Sequence, residues 1–407
     1  MSSRGAPAPR RNLAPMPSGA YDLIVAGAGP SGLALLDALD RVGLGALRVL
    51  LVDREARRGD DRTWCFWETS AGPFERVVAH RWPALDVHGP RADAPGRRLV
   101  LAPYTYKMIR GGDFFAATDD WLAARPQVER RVGEVRDLGS EGDRAVAVID
   151  GERIEADWAF DATRVPLEPV EGYHLLLQHF LGWEITTPDD RFDPSVATFM
   201  DFRVPQKGGT CFVYLLPTSP RAALAEYTVF SPTVWPREAY EAELRDYLGG
   251  VRGIDAFEVG RTEIGVIPMT DRPFPARRGE RVITIGTAGG QTKASTGYTF
   301  RRVVRHAQAL ADALARSGKP HLSARWRRHD WMDGVLLRAL ATERQDGAAF
   351  FSRLLERNPP QRVLAFLDED TSLPQEVALM ASVDVPLFWR VGAEVAWRRW
   401  QARRRAS

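Results

Sequence analysis

The chain has 407 residues, 44% of them hydrophobic, which is room for two domains or one large interleaved one and excludes a small scaffold held by staples. Its 55 basic residues against 53 acids leave a formal charge of +2, so no global field draws it to nucleic acid. Two cysteines, Cys65 and Cys211, match neither a disulfide framework nor a metal-ligand spacing; they fit a reducing cytoplasm and read as core residues.

Residues 1–18 are rich in Ala, Pro, Arg and Ser with no apolar stretch, which predicts a disordered tail and not an export signal. The run from Tyr21 to Leu39 is then a buried strand, a turn carrying Gly27, Gly29 and Gly32, and an apolar helix. In such a turn the first glycine permits the tight bend, the second admits a pyrophosphate, and the third lets helix and strand pack closely. A second strand, Arg48 to Val52, leads to Asp53, about 20 residues beyond Gly32, where a carboxylate accepts hydrogen bonds from ribose hydroxyls. This order of features predicts a dinucleotide site but does not separate FAD from NAD, and Arg54 leaves a reading of the extra phosphate of NADP open. Position at the start of the folded chain favours FAD.

Asp61 to Glu68 follows, dense in Trp64, Phe66 and Trp67, either walling an apolar pocket or packing in the core. Arg62, close behind the ribose-binding acid, is assigned to the cofactor. From about residue 97 to 162, short strands and one helix, Asp113 to Ala123, read as the rest of the nucleotide domain. Residues 165–275 change to β-rich segments predicting an antiparallel sheet. Within it, period-two alternation puts Leu224, Glu226, Thr228 and Phe230 on one face. If that face is buried, Glu226 is desolvated and stays protonated near neutral pH; the competing reading is a solvated glutamate or a cross-strand salt bridge. Asp201 and Glu263 are further acids inside apolar strands, with Arg203 and Arg261 as available partners.

Roughly 250 residues after the first glycine turn, Arg281 to Phe300 supplies a second, with Gly286, Gly289 and Gly290 between a β-branched run and the helix expected over Val303 to Leu314. Two such turns so far apart predict a discontinuous flavin domain, as in the glutathione-reductase-like flavoproteins. The expected fold is therefore α/β: a Rossmann-type FAD-binding domain over 19–164 and 276–320, an inserted β-sheet substrate domain over 165–275, and a helical C-terminal region over 321–407. The end of that region clusters Trp389, Trp397 and Trp400 with arginines, a composition suited to an anionic bilayer interface or to a solvated helix end. No uncharged apolar run reaches about 18 residues, which excludes an ordinary membrane-spanning helix. No metal site is expected, and the absence of HExxH and GxSxG sequences disfavours zinc and serine hydrolysis.

Taken together, Asp61–Glu68, Gln178–Trp183, Met200–Arg203, Glu226-Tyr-Thr228, Gly265–Asp271, Gly286–Gly290 and Ser295–Phe300 resemble the bacterial and plant-type flavin-dependent lycopene cyclases from about residue 20 to 385. The resemblance implies a cytoplasmic, peripherally membrane-associated isomerase of carotenoid biosynthesis that closes β-rings at the linear ends of lycopene. FAD would be reduced without net redox change, with NADPH as the priming reductant. It implies Glu226 as the acid, with Thr228, Asp201 and Glu263 as possible support, and Trp64, Phe66, Trp67 and Trp183 around the substrate. Two readings compete: a flavin monooxygenase or prenyl reductase, which would consume NADPH stoichiometrically, and a non-enzymatic prenyl-lipid carrier.

Overall fold

The computed structural model describes residues 21–56, 59, 62–91, 94–163, 168–322 and 328–406. The expected tail over 1–18 and Asp61 lie outside the described residues.

Four strands run parallel at the heart of the first sheet, in the order Val128–Val132, Val49–Asp53, Tyr21–Ala26 and Glu152–Asp161. The first two strands of the chain, rich in Leu, Ile and Val, are buried on both faces, as parallel strands covered by helices must be. Glu152–Asp161 is the junction of the sheet. Its first half pairs with the antiparallel strand Arg144–Ile149, and its last three residues pair in parallel with Val282–Thr284. That late parallel pairing brings the second glycine turn beside the first. A Cβ on Gly286 (φ +65°) would lie 2.2 Å from Ser31 Oγ, so the approach of the two turns requires glycine there. Helices Pro30–Arg41 and Phe300–Ser317 leave the two turns and pack against each other.

The second sheet has the order Glu258–Thr270, Leu175–Thr186, Ala222–Ser231, Thr210–Pro217, Val196–Asp201, Ala84–His88, Arg97–Val100. Its last two strands come from a segment that the sequence pattern assigned to the nucleotide domain. Ala84–His88 pairs in parallel with Val196–Asp201, so the sheet is mixed where an antiparallel one was expected. A small third sheet, Thr63–Glu68, Thr105–Arg110 and Val78–Trp82, adjoins the cavity between the other two.

Both faces of the second sheet are covered. Ala223, Ala225, Tyr227 and Val229 pack in one cluster with Tyr240 and Leu244 of helix Arg237–Asp246. Leu224 and Phe230 belong to a second cluster with Phe350, Phe351 and Leu354 of helix Gly347–Arg357. Lys293, fully buried beyond the second glycine turn, donates to both carboxylate oxygens of Asp333 at 2.9 Å and ties that turn to helix Arg328–Ala341.

Candidate active site

A cavity of about 670 Å³ runs from the glycine turns to the second sheet. Gly27, Gly29, Pro30 and Ser31 form one end with Thr287, Ala288 and Thr292, and Leu177, Phe180, Leu216, Leu224, Glu226 and Ile267 form the other. Tyr106, Tyr214 and Tyr298 line the walls with Trp64 and Cys65.

The glycine-turn end fits a dinucleotide. Gly27 holds φ at +109°, and a Cβ at Gly32 would lie 2.2 Å from the Gly27 carbonyl oxygen, so neither position tolerates a side chain. Helix Pro30–Arg41 starts at Gly29 without a side-chain cap, leaving its first N–H groups for an anion. Asp53 stands at the end of its strand and its Oδ2 accepts from Ala28 N at 2.8 Å, which braces the turn. Arg62 lines the cavity. Gly286, Gly289 and Gly290 shape the second turn from behind its lining residues: a Cβ at Gly289 would lie 2.5 Å from the Thr284 carbonyl oxygen, and Gly290 has φ +74°.

At the far end, strand alternation points Glu226 into the cavity between apolar neighbours. Thr228 Oγ1 donates to its Oε1 at 2.9 Å. Burial, followed by the charge of the neighbouring Glu263 carboxyl, pushes Glu226 well above its ordinary value of 4.5. The Glu226 carboxyl is therefore biased strongly toward its protonated form. Glu263 Oε2 accepts from Thr63 Oγ1 at 2.8 Å and from Arg261 Nη1 at 3.0 Å. Burial also holds the thiol of Cys65 above its ordinary value of 9.0, so it stays a thiol and not a nucleophile. Contrary to a purely core reading, it faces the cavity.

Several assignments move. Trp183 stands on the opposite face of the sheet, near Phe257 and under Arg245, because it is out of phase with Phe180, which lines the cavity. Phe66 packs on Phe300 at 5.0 Å, and Trp67 donates from Nε1 to the Leu364 carbonyl at 3.1 Å; both stand behind the cavity wall, leaving Trp64 as its lining member of the trio. Asp201 lies outside the cavity, gripped by Arg203 at 2.9 and 2.6 Å and by the Tyr247 hydroxyl at 2.8 Å. His179 is bonded to Ser231 Oγ at 2.8 Å and to the Tyr240 hydroxyl, a structural role away from the cavity lining. The tyrosines of the cavity were missed from sequence: Tyr298 falls in a motif noted for other reasons, while Tyr106 and Tyr214 look like ordinary strand residues.

The family model described as lycopene cyclase protein matches residues 22–388. The chain belongs to the lycopene cyclase family. Among relatives in that family, the lycopene beta-cyclase of Paracoccus sp. (strain N81106 / MBIC 01143) is 29% identical over 315 residues, covering 75% of this chain and 76% of the relative. The lycopene beta-cyclase of Pantoea ananas is 26% identical over 350 residues, covering 79% and 82%. Solved structures share the fold at low identity. A geranylgeranyl bacteriochlorophyll reductase-like protein from Thermoplasma acidophilum superposes with a TM-score of 0.60 at 12% identity, covering 92% of this chain and 99% of the other. A Klebsiella pneumoniae HpxO variant complexed with FAD has a TM-score of 0.56 at 17% identity, covering 92% and 94%. This member of the cyclase family thus shares its mixed α/β fold with that reductase-like protein and with the FAD-complexed HpxO variant. Among the described residues, no helix is long and apolar enough to cross a membrane.

Proposed function

We propose that this protein is a lycopene β-cyclase in which Glu226 is the acid. The observation that carries this reading is a carboxyl kept protonated by its apolar surroundings and opening on the cavity that both glycine turns border. Gly27, Gly29, Gly32, Asp53 and Arg62, with the second turn from Gly286 to Gly290, would hold FAD; the segments 19–164 and 276–320 would form its domain and 165–275 the carotenoid-binding sheet. Bound in the reduced state, with NADPH as the priming reductant, FAD would supply an electron-rich ring beside a developing cation and finish each turnover unchanged.

The protein's own residues account for the remaining demands. Glu226 delivers its proton to the terminal carbon-carbon double bond of a linear end, leaving a tertiary cation that the neighbouring double bond attacks to close a six-membered ring. Loss of one ring proton then fixes the new double bond, so protons and electrons balance. An alkene is a weak base, and its protonation requires an acid shielded from water; Leu216, Leu224, Phe180 and Ile267 supply that shield. The faces of Trp64, Tyr106, Tyr214 and Tyr298 attract a cation without offering it a nucleophile, worth about 0.5 to 2 kcal/mol for each close contact.

Substrate so apolar resides in a bilayer, and helix Val385–Ala406 offers a surface for one. Trp389, Trp397 and Trp400 are 72%, 56% and 45% exposed, and Arg403, Arg404 and Arg405 follow them, a combination that fits an anionic membrane interface.

The deciding experiment is anaerobic incubation with lycopene in liposomes, FAD and a reductant, followed by chromatography and mass measurement. An isomeric product at unchanged mass is expected. Product with added oxygen or hydrogen would establish the monooxygenase or reductase reading that the fold neighbours also permit.

A further inference from the structure

Glu226 and Glu263 stand on strands separated by a third, and the residue between them is Gly182: the register aligns Glu226 with Gly182 and Gly182 with Glu263. Strands two apart in a sheet are roughly 10 Å apart, a gap that two glutamate side chains close only if nothing rises between them. A Cβ added at Gly182 would lie 3.0 Å from Glu263 Cγ and 3.2 Å from Leu224 Cδ1. The two carboxyls stand side by side over this glycine, and burial raises both above their ordinary value of 4.5, Glu226 the further because Arg261 and Thr63 pull Glu263 back down.

Their other partners differ in kind. Glu263 is 3% exposed and is bound on Oε2 by Arg261 and Thr63; Arg261 is itself held by Glu184 at 3.1 Å, and Glu184 by Arg110 at 3.1 Å. Oε1 of Glu263 is buried and meets no donor among the described residues other than what Glu226 can provide. Glu226 has a hydroxyl neighbour and opens on the cavity. The other titratable groups turned toward the pair are Cys65, Tyr106, Tyr214 and Tyr298, all held in their neutral forms by burial.

We propose that Glu263 is a positioning residue for the acid: the pair shares one proton, carried by Glu226 and donated to an ionised Glu263, and Gly182 is the gap that permits the contact. This deepens the cyclase reading and rests on Glu226 being its acid. Ionised Glu263 opposes loss of the Glu226 proton in the resting protein, so the site stays loaded at neutral pH. Once that proton has passed to the alkene, two buried carboxylates face each other, and their repulsion favours recapture of one proton by Glu226 as the ring loses one.

The test is the pH dependence of lycopene cyclisation by the FAD-loaded protein in liposomes, together with infrared titration of the protonated carboxyl. In Glu263→Gln the negative charge is gone while Arg261 stays, so both the alkaline limb of activity and the carboxyl titration are expected to move down by about one pH unit or more. Glu263→Asp should restore part of the shift. Gly182→Ala, which leaves every charge in place and wedges the pair apart, should move both readouts in the same direction by less. If Glu226→Gln is inactive while Glu263→Gln and Gly182→Ala titrate as the parent does, the shared-proton inference is overturned and the acid assignment stands. If Glu226→Gln still cyclises, the assignment beneath it fails. Should Glu263→Gln lose its flavin, Gly182→Ala decides between these outcomes.

Discussion

Asp201 and Glu226 stand two strands apart in one sheet, each an acid inside an apolar strand, yet their surroundings drive them in opposite directions. Burial pushes the Asp201 carboxyl up, but the hydrogen bonds and charge of Arg203, with the Tyr247 hydroxyl, outweigh it and hold it below its ordinary range. Glu226 meets a hydroxyl and a second carboxyl instead; the hydroxyl and the Arg261 charge pull it down, but burial and the Glu263 charge outweigh them and hold it well above its ordinary range. Burial raises the stakes for both acids; the partner sets the sign. One acid is a structural anion and the other is available to give a proton away.

The largest expected effect that sharpens this contrast is loss of ring closure in Glu226→Gln, by about a thousandfold or more, with flavin still bound. Near-parental turnover in that variant would end the comparison. The same substitution carries a stability signature. Folded Glu226 keeps its proton above pH 4.5, where the unfolded chain releases it, so its stabilising contribution is complete below that pH and is lost as pH rises toward the folded pKa. Glu226→Gln is therefore expected to melt at a higher temperature than the parent near neutral pH, with the two curves converging below about pH 4. A difference that does not vary with pH would show that Glu226 is not protonated in the folded chain.

Asp201→Asn tests the other side. Removing the charge strands Arg203 and weakens the Tyr247 contact, a cost of about 2 to 3 kcal/mol in urea denaturation at neutral pH. Because the folded pKa of Asp201 is depressed, its contribution is present above the ordinary value of 3.8 and is lost as pH falls through the folded pKa, so the deficit should shrink in acid. The pH profile of cyclisation should not move; a shifted profile would bring Asp201 into the mechanism.

The smallest effect is that of Thr228→Val. The hydroxyl favours the ionised form of Glu226, so its removal should raise the alkaline limb by less than about one unit and slow turnover a few-fold, a displacement opposite in sign to that of Glu263→Gln. A downward shift would contradict the polarity assigned to the pair.

Much of this was legible in the chain because it depends on neighbours in sequence. The first glycine turn follows from spacing, and alternation placed Leu224, Glu226, Thr228 and Phe230 together. The aromatic residues, assigned from a dense segment and from resemblance, were not legible in this way. Trp183 belongs to a quoted motif, but its phase relative to Gly182 turns it to the other face, and no single strand reveals which of its faces will border a cavity. Phe66 and Trp67 look as well suited to a pocket as Trp64; what separates them is which neighbours, Phe300 and Leu364, the third sheet brings behind them.

By itself the sequence determined the local geometry, namely turns that only glycine can make, strands of fixed phase and an acid among apolar residues. These are set by backbone sterics and by periodicity over a few residues. Only the tertiary structure decided which acid would be neutral, because pairing across three strands brings Glu263 to Glu226 over Gly182, whereas Arg203 lies two residues from Asp201 and already neutralises it. A carboxyl's protonation state depends on every charge within a few ångströms, and for Glu226 those charges, Arg261 and Glu263, come from positions 35 and 37 residues away along the chain.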